Sequence, residues 1–352
     1  MKTRRKPVAP MPTESSGVYA ALDLGTNNCR LLLAYPQFKE TRGGRALRAV
    51  DSFSRIVRLG EGVSTTGLLH EEAMERTLAA LATCKRKMDH HPIIRGRYVA
   101  TEACRRASNA LMFIERIRKE TGLCVEIISN EEEARLALLG CCSLLGSHTD
   151  RAVAFDIGGG STEIMWVSAE HFPQGHPQGQ ASVLPFRLTI NDWISVPYGV
   201  MNLSEQFGGA NYTEVYFEDI VRRIEENLRP FDEKHGIAEQ ARSGGVQLLS
   251  TSGTVTTLAA IHLDLHRYDR SRVDGLRLPV AAIEASIDRL LAMKPYARFN
   301  HPCVGADRSD YILSGCAIFR AIHRVWPFAH ITIADRGVRE GIIISLLLEG
   351  AK

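Results

Sequence analysis

The chain has 352 residues, 45% of them hydrophobic and 24% charged, an ordinary globular composition with material for about two domains. No apolar run approaches the roughly 20 residues that cross a bilayer, so no membrane span is expected. A formal net charge of only +3 supplies no global field for nucleic acid, so any polyanion must be met by local arginines.

Residues 1–16 carry Lys2, Arg4, Arg5 and Lys6 with no apolar core after them. They read as a disordered basic tail, not a secretory signal. Residues 19–35, YAALDLGTNNCRLLLAY, then pattern as a hairpin. One apolar strand ends at Asp23, a small polar turn holds Gly25, Thr26, Asn27 and Asn28, and a second apolar strand follows. A strand is expected over 50–58 and a helix over 68–88, with Leu78, Leu81 and Ala82 along one face. A strand over 97–101 leads into TEACRRASN. A helix over 110–121 is closed by Gly122, and a short strand over 124–128 follows. This order suggests a mixed sheet flanked by helices.

Ser129 and Asn130 cap the next helix, NEEEARLALLG, whose three glutamates suit the positive end of the helix dipole. Glu133 stands at helical spacing with Leu136, Ala137 and Gly140, a small-residue face expected to pack against the sheet. A carboxylate at the start of a buried face is a candidate base. Residues 152–167, AVAFDIGGGSTEIMWV, then repeat the first hairpin's plan. Asp156 ends the first strand, Gly158, Gly159, Gly160 and Ser161 make the turn, and Glu163 opens the second strand. Glycines there let successive N–H groups face one concavity suited to an anion, and carboxylates at its rim suit a divalent cation. Two such hairpins imply a duplicated domain with a phosphate group clamped between the copies.

A polar loop is expected over 171–180, strands over 181–197, and a helix over 213–227 ending at Pro230. Residues 246–253 read as a strand leading into a helix at STSGTVTTLAAIH. His262 and His266 have metal-ligand spacing on that helix, but no further ligands accompany them, so they read as surface or packing histidines. A last strand over 330–334 leads into a C-terminal helix. The eight cysteines show no C-x-x-C pair and no zinc spacing, as expected of reduced thiols in a cytoplasmic protein. Walker, dinucleotide-binding, zincin and nucleophile-elbow motifs are absent.

The segments DLGTNNCRLLL, VATEACRRASN, VEIISNEEEARLALLG, AFDIGGGSTEIMWV, STSGTVTTLAA and ADRGVREGII, in this order, closely resemble the exopolyphosphatase and guanosine pentaphosphate phosphohydrolase family. That family lies within the actin-like ATPase superfamily. The resemblance implies an α/β fold of two ribonuclease-H-like domains with mixed sheets, flanked by helices, and an active site in the cleft between them. The first domain would comprise residues 17–130 plus 335–352, the second 131–334. It further implies Glu133 as catalytic base, with Glu163 also catalytic. Asp23, Asp156 and Glu163 would hold Mg2+. Arg105, Asn27 and the turn Gly158–Gly159–Gly160–Ser161 would hold phosphate. The implied reaction removes the terminal phosphate of inorganic polyphosphate, or the 5′ phosphate of pppGpp, in a homodimer. Longer members continue into further helical domains, so short chains are the expected polyphosphate. Thr26, Asn28, Cys29 and Asn130 depart from the residues more usual in the family, but no acid is lost. A sugar-kinase-like enzyme and a non-catalytic alarmone sensor are the alternatives; an intact set of acids around a base disfavours the sensor.

Overall fold

The computed structural model of the chain describes residues 17–36, 47–146, 149–171, 186–206, 214–306 and 308–350. The basic tail, positions 172–180 of the polar loop and the strand start at 181–185 lie outside them. Two sheets are present. The first holds β1 (Val18–Leu24), β2 (Asn28–Pro36), β3 (Leu47–Ile56), β4 (Ile93–Ala100) and β5 (Val125–Ile127), in the order β3-β2-β1-β4-β5. The second holds β6 (Arg151–Ile157), β7 (Thr162–His171), β8 (Phe186–Val196), β9 (Val246–Ser250), β10 (Arg277–Pro279) and β11 (His330–Ile333), in the order β10-β11-β9-β6-β7-β8. In each, three antiparallel strands are followed by two that run parallel to the first, β4 and β5 in one half, β9 and β11 in the other. The duplication expected from the two hairpins is therefore a duplication of whole sheets, and it is the two-domain, ribonuclease-H-like architecture that the resemblance implied.

Strand alternation places the acids. On β1, Val18, Ala20, Leu22 and Leu24 pack into the outer core of the first half, and Ala21 turns to the opposite face. Asp23 follows Ala21 on that inner face. On β6, Val153, Phe155 and Ile157 point outward, while Ala152 and Ala154 precede Asp156 on the inner face. Small alanines below each aspartate leave room for helices between the sheets. Those helices are Asn130–Cys141 and Val338–Gly350. The first packs on Ala152, Ala154, Met165 and Val167, the second on Ala21, Leu32, Ala34 and Val99. They also pack on each other, so Glu133's helix lies against a helix as well as the sheet. We propose 17–130 plus 335–352 and 131–334 as the domain division, with these two helices as the seam.

Several elements differ from expectation for identifiable reasons. The helix expected from 68 begins at Glu71, because Asn109 accepts from the Leu69 N–H at 2.9 Å and donates to its carbonyl at 3.0 Å, holding that residue extended. The helix expected to stop at Pro230 runs from Glu214 to His235. It buries Phe217, Ile220, Val221, Ile224, Leu228 and Phe231, enough to outweigh the roughly 3 kcal/mol penalty of an interior proline. Residues 267–329, where no element is predicted, contain the buried helices Val280–Ala292 and Ile312–Val325. His262 ends its helix and His266 lies beyond it, both exposed, and no group of three potential metal ligands occurs among the described residues. The eight cysteines are free thiols, and no described helix is long and apolar enough to cross a membrane.

At Gly140 and Gly341 the seam between the central helices has no room for a side chain. A Cβ on Gly341 would lie 1.8 Å from the Leu136 carbonyl oxygen, and one on Gly140 would lie 2.0 Å from the Gly337 carbonyl oxygen. Backbone cannot yield as a side chain can. Gly341→Ala should therefore destabilise the protein by about 1–3 kcal/mol or more, read as a lower thermal midpoint. Gly122→Ala, at a helix end with open space but a left-handed φ of 72°, should show only conformational strain of about 1 kcal/mol. Equal midpoints for parent and Gly341→Ala would show that the helices are not in backbone contact.

Candidate active site

Both hairpin turns close in the same way. Gly25 N–H donates to Asn28 O at 2.9 Å, and Gly158 N–H donates to Ser161 O at 2.9 Å. In the second turn every glycine carbonyl is drawn to one side. Val200 N–H donates to Gly158 O at 2.9 Å, Met201 N–H to Gly159 O at 2.8 Å, and Asn202 Nδ2 to Gly160 O at 2.8 Å. A trans peptide points its N–H opposite its carbonyl. The N–H groups of Gly159, Gly160 and Ser161 are thereby turned away from the helix Val200–Gln206, with no acceptor among the described residues. The first turn is held similarly. Gly60 N–H donates to Thr26 O at 2.9 Å, and Val57 and Arg58 N–H donate to Asn27 O at 2.8 and 3.0 Å.

The glycines are required by close approach. A Cβ on Gly159 would lie 2.9 Å from Thr26 Cβ of the other turn, and one on Gly160 would lie 2.9 Å from Glu102 Cγ. Gly199 packs on the Gly159–Gly160 backbone, where a Cβ would come within 2.4 Å. The two turns therefore meet, and a cavity of about 150 Å³ opens beside them. Asp23, Asn27, Glu133, Asp156 and the turn 158–161 all line it.

Arg105 and Glu163, also expected in the site, stand one layer back. Arg105 is outside the cavity lining, and its donors go to Glu102 at 2.9 and 3.1 Å and to Ile128 O at 2.9 Å. Its Nη2 lies 2.8 Å from Glu133 Oε2. That contact is an ion pair without hydrogen-bond alignment, since the buried Oε2 has no aligned donor. Arg105 thus holds Glu133 by charge and leaves a lone pair of the carboxylate free. Arg106 is exposed, and Arg135 bonds Glu132 and Ser345, so neither lines the main cavity. Glu163 is 3% exposed, and its Oε1 accepts from Ser161 Oγ at 2.6 Å and Ser195 Oγ at 3.0 Å.

Four arginines line the cavity without having been singled out in the sequence: Arg30, Arg308, Arg336 and Arg339. Arg336 and Arg339 sit within ADRGVREGII, and Arg30 within DLGTNNCRLLL. The signal was present, but only the register of β1 on β2 shows that Arg30 stands directly across from Asp23.

Burial governs the acids. Desolvation raises the pKa of Asp23 and of Asp156, opposed in both by the Arg30 charge. Burial and then the Glu163 charge push Glu133 well above the usual carboxylate range, against the pull of Arg105. Burial likewise raises Glu163 to about 7. The donors able to hold a cation are hard carboxylate oxygens at Asp23 and Asp156, on the inner ends of the two central strands. One or two carboxylates plus phosphate oxygens are what Mg2+ takes, so the residues fit a divalent cation. The hydroxyl-bonded Glu163 does not join them in a three-acid cluster.

The chain matches the Ppx/GppA phosphatase family over residues 38–350. It is 30% identical to exopolyphosphatase 2 of Mycobacterium tuberculosis over 341 residues, 93% of this chain and 98% of that protein. Its fold is similar to the Ppx/GppA family member of Aquifex aeolicus, with TM-score 0.74 and 28% identity over 96% of this chain and 99% of the other. It is similar in fold to an exopolyphosphatase from Cytophaga hutchinsonii, with TM-score 0.77 and 23% identity over 95% and 99% of the two chains.

Buried carboxyls whose pKa is raised give the metal-free protein a defined pH response. A carboxyl whose folded pKa lies above its unfolded value binds more protons folded than unfolded between the two. Its stabilisation is then fully present below about 4.5 and is lost as pH rises through about 7 for Glu163. Stability in chelator should fall over this window, by about 3 kcal/mol from Glu163, read as a lower thermal midpoint. Glu163→Gln, which keeps the acceptor for Ser161 and Ser195, should flatten the decline. An equally steep decline in the variant would place the titration elsewhere.

Proposed function

The chain belongs to the Ppx/GppA phosphatase family and is a phosphoanhydride hydrolase, and from that premise we propose that it removes the terminal phosphate of inorganic polyphosphate. One observation carries the reading: Glu133, held through Oε2 by the Arg105 charge, lines a cavity that two like-built turns share, one from each sheet. The amides of Gly159, Gly160 and Ser161 receive the oxygens of the terminal phosphoryl group, where charge develops as the anhydride breaks. A water lies between that phosphorus and Glu133. Its oxygen forms the new P–O bond, its proton passes to the Glu133 carboxylate, and the bridging P–O bond breaks to leave a chain one phosphate shorter. A base whose pKa is raised by burial is the stronger proton acceptor, and Arg105 fixes its direction. Asp23 and Asp156 would hold a divalent cation, Mg2+ in our reading, which when bound neutralises phosphate charge.

The remaining parts of the proposal are short chains as substrate and a cytoplasmic homodimer. Polyphosphate is preferred to pppGpp because the 30%-identical relative carries the exopolyphosphatase name and four arginines line the cavity.

Glu133→Gln keeps the shape of the side chain and removes its proton affinity. Turnover should fall by about 10²–10⁴-fold with the thermal midpoint and phosphate affinity retained. Phosphate release is measured for parent and variant on short polyphosphate and on pppGpp with the same cation. A variant within about threefold of the parent removes Glu133 as base, since general-base loss is far larger. Faster parental turnover of pppGpp reverses the substrate assignment.

A further inference from the structure

The two halves repeat each other up to the residue that faces each aspartate, and there they part. Across the β6–β7 ladder Asp156 stands opposite Glu163; across the β1–β2 ladder Asp23 stands opposite Arg30. Directly opposed residues on one sheet face have Cβ atoms about 4.5–5.5 Å apart. One half thus presents an acid beside an acid, the other an acid beside a guanidinium. Arg30 also lines the cavity with Asp156, and its charge is felt by both aspartates.

The other cavity arginines are tethered. Arg336 clasps Asp274, with Nη2 to Oδ2 at 2.5 Å and Nε to Oδ1 at 3.1 Å. Arg308 donates to Thr257 Oγ1 at 2.7 Å, and Arg339 reaches Leu31 O at 3.5 Å while Glu340 offsets its charge. The Arg30 guanidinium has no hydrogen bond or ion pair with any described residue. A guanidinium between two carboxylates, bound to neither, can turn from one anion to another.

We propose that Arg30 makes cation binding and phosphate binding depend on each other. Without phosphate, its positive charge lies beside Asp23 and Asp156 and opposes a divalent cation there. A phosphate in the cavity draws the guanidinium fork to its own oxygens, and the two carboxylates are left to the cation. By linkage, phosphate then tightens the cation by the same factor as the cation tightens phosphate. The site does not fill with bare cation and admits the pair together. This rests on the hydrolase reading for the identity of the two ligands.

The test uses Mn2+, whose free fraction is read from its paramagnetic resonance signal, with orthophosphate as the anion. In the parent, phosphate should tighten Mn2+ by about tenfold, within the usual range of coupling between two sites. Arg30→Gln should bind Mn2+ alone roughly threefold or more tighter than the parent, and phosphate should add less than about twofold. Arg30→Lys keeps the charge without the fork and should fall between them. If Arg30→Gln does not fold, the lysine variant decides: a reduced coupling supports the proposal and a parental one overturns it. Parental coupling in Arg30→Gln, or no coupling in the parent, overturns it as well. Phosphate release from polyphosphate by the parent, measured alongside, is a separate result: its presence with unchanged coupling defeats Arg30's role alone, and its absence defeats the hydrolase reading.

Discussion

Two helices whose backbones meet at glycines set the dimensions of this molecule. Gly140 meets the backbone at Gly337, and Gly341 meets the backbone at Leu136. Each helix also begins at the cavity, one with Glu133 in its first turn and the other with Val338 and Arg339. The seam therefore fixes how far the base lies from the turns. It brings the inner ends of β1 and β6 together, and with them Asp23 and Asp156. Without the glycines, the helices would stand apart by at least a methyl group, and the turns that touch at Thr26 and Gly159 would separate.

The same closeness has an electrostatic consequence. Four carboxylates are gathered where water is largely excluded, and burial raises the pKa of each. Such a site is unfavourable for the empty protein and favourable for a cation and an anion arriving together. Hydroxyls of Ser161 and Ser195 satisfy Glu163, and Asn130 in turn donates to Ser195 at 3.0 Å. Glu133 receives only the charge of Arg105 and keeps an oxygen for the reaction. Fold stability is given up at the point where the chemistry needs an unsatisfied group.

Much of this was legible in the residues. Alternation of apolar residues up to Asp23 and Asp156 reveals both hairpins, and the repeat of acid, glycine and small polar residues reveals the duplication. Glu133 emerges from helical spacing alone. What the sequence could not disclose depends on contacts between distant segments. Arg105 is expected to contact phosphate, yet Glu102 and Ile128 O claim its donors. Arg30 becomes a site residue only once the ladder is known. The glycines of the second turn suggest conformational freedom, whereas the structure shows that they are demanded by Thr26, Glu102 and Gly199. Helix 280–292 buries Val280, Ile283, Ile287 and Leu290 along one face, a helical period that the residues do carry, and the proline at 230 gives a false stop.

The central claim is that the terminal phosphate occupies the cavity that both turns line. Hydrogen–deuterium exchange of the Glu133→Gln protein with short polyphosphate and Mg2+ tests it most directly. Our account requires slowed exchange in residues 25–28 and 158–161 together, relative to the ligand-free protein. Protection confined to one turn, or found at other segments while polyphosphate is bound, would contradict it.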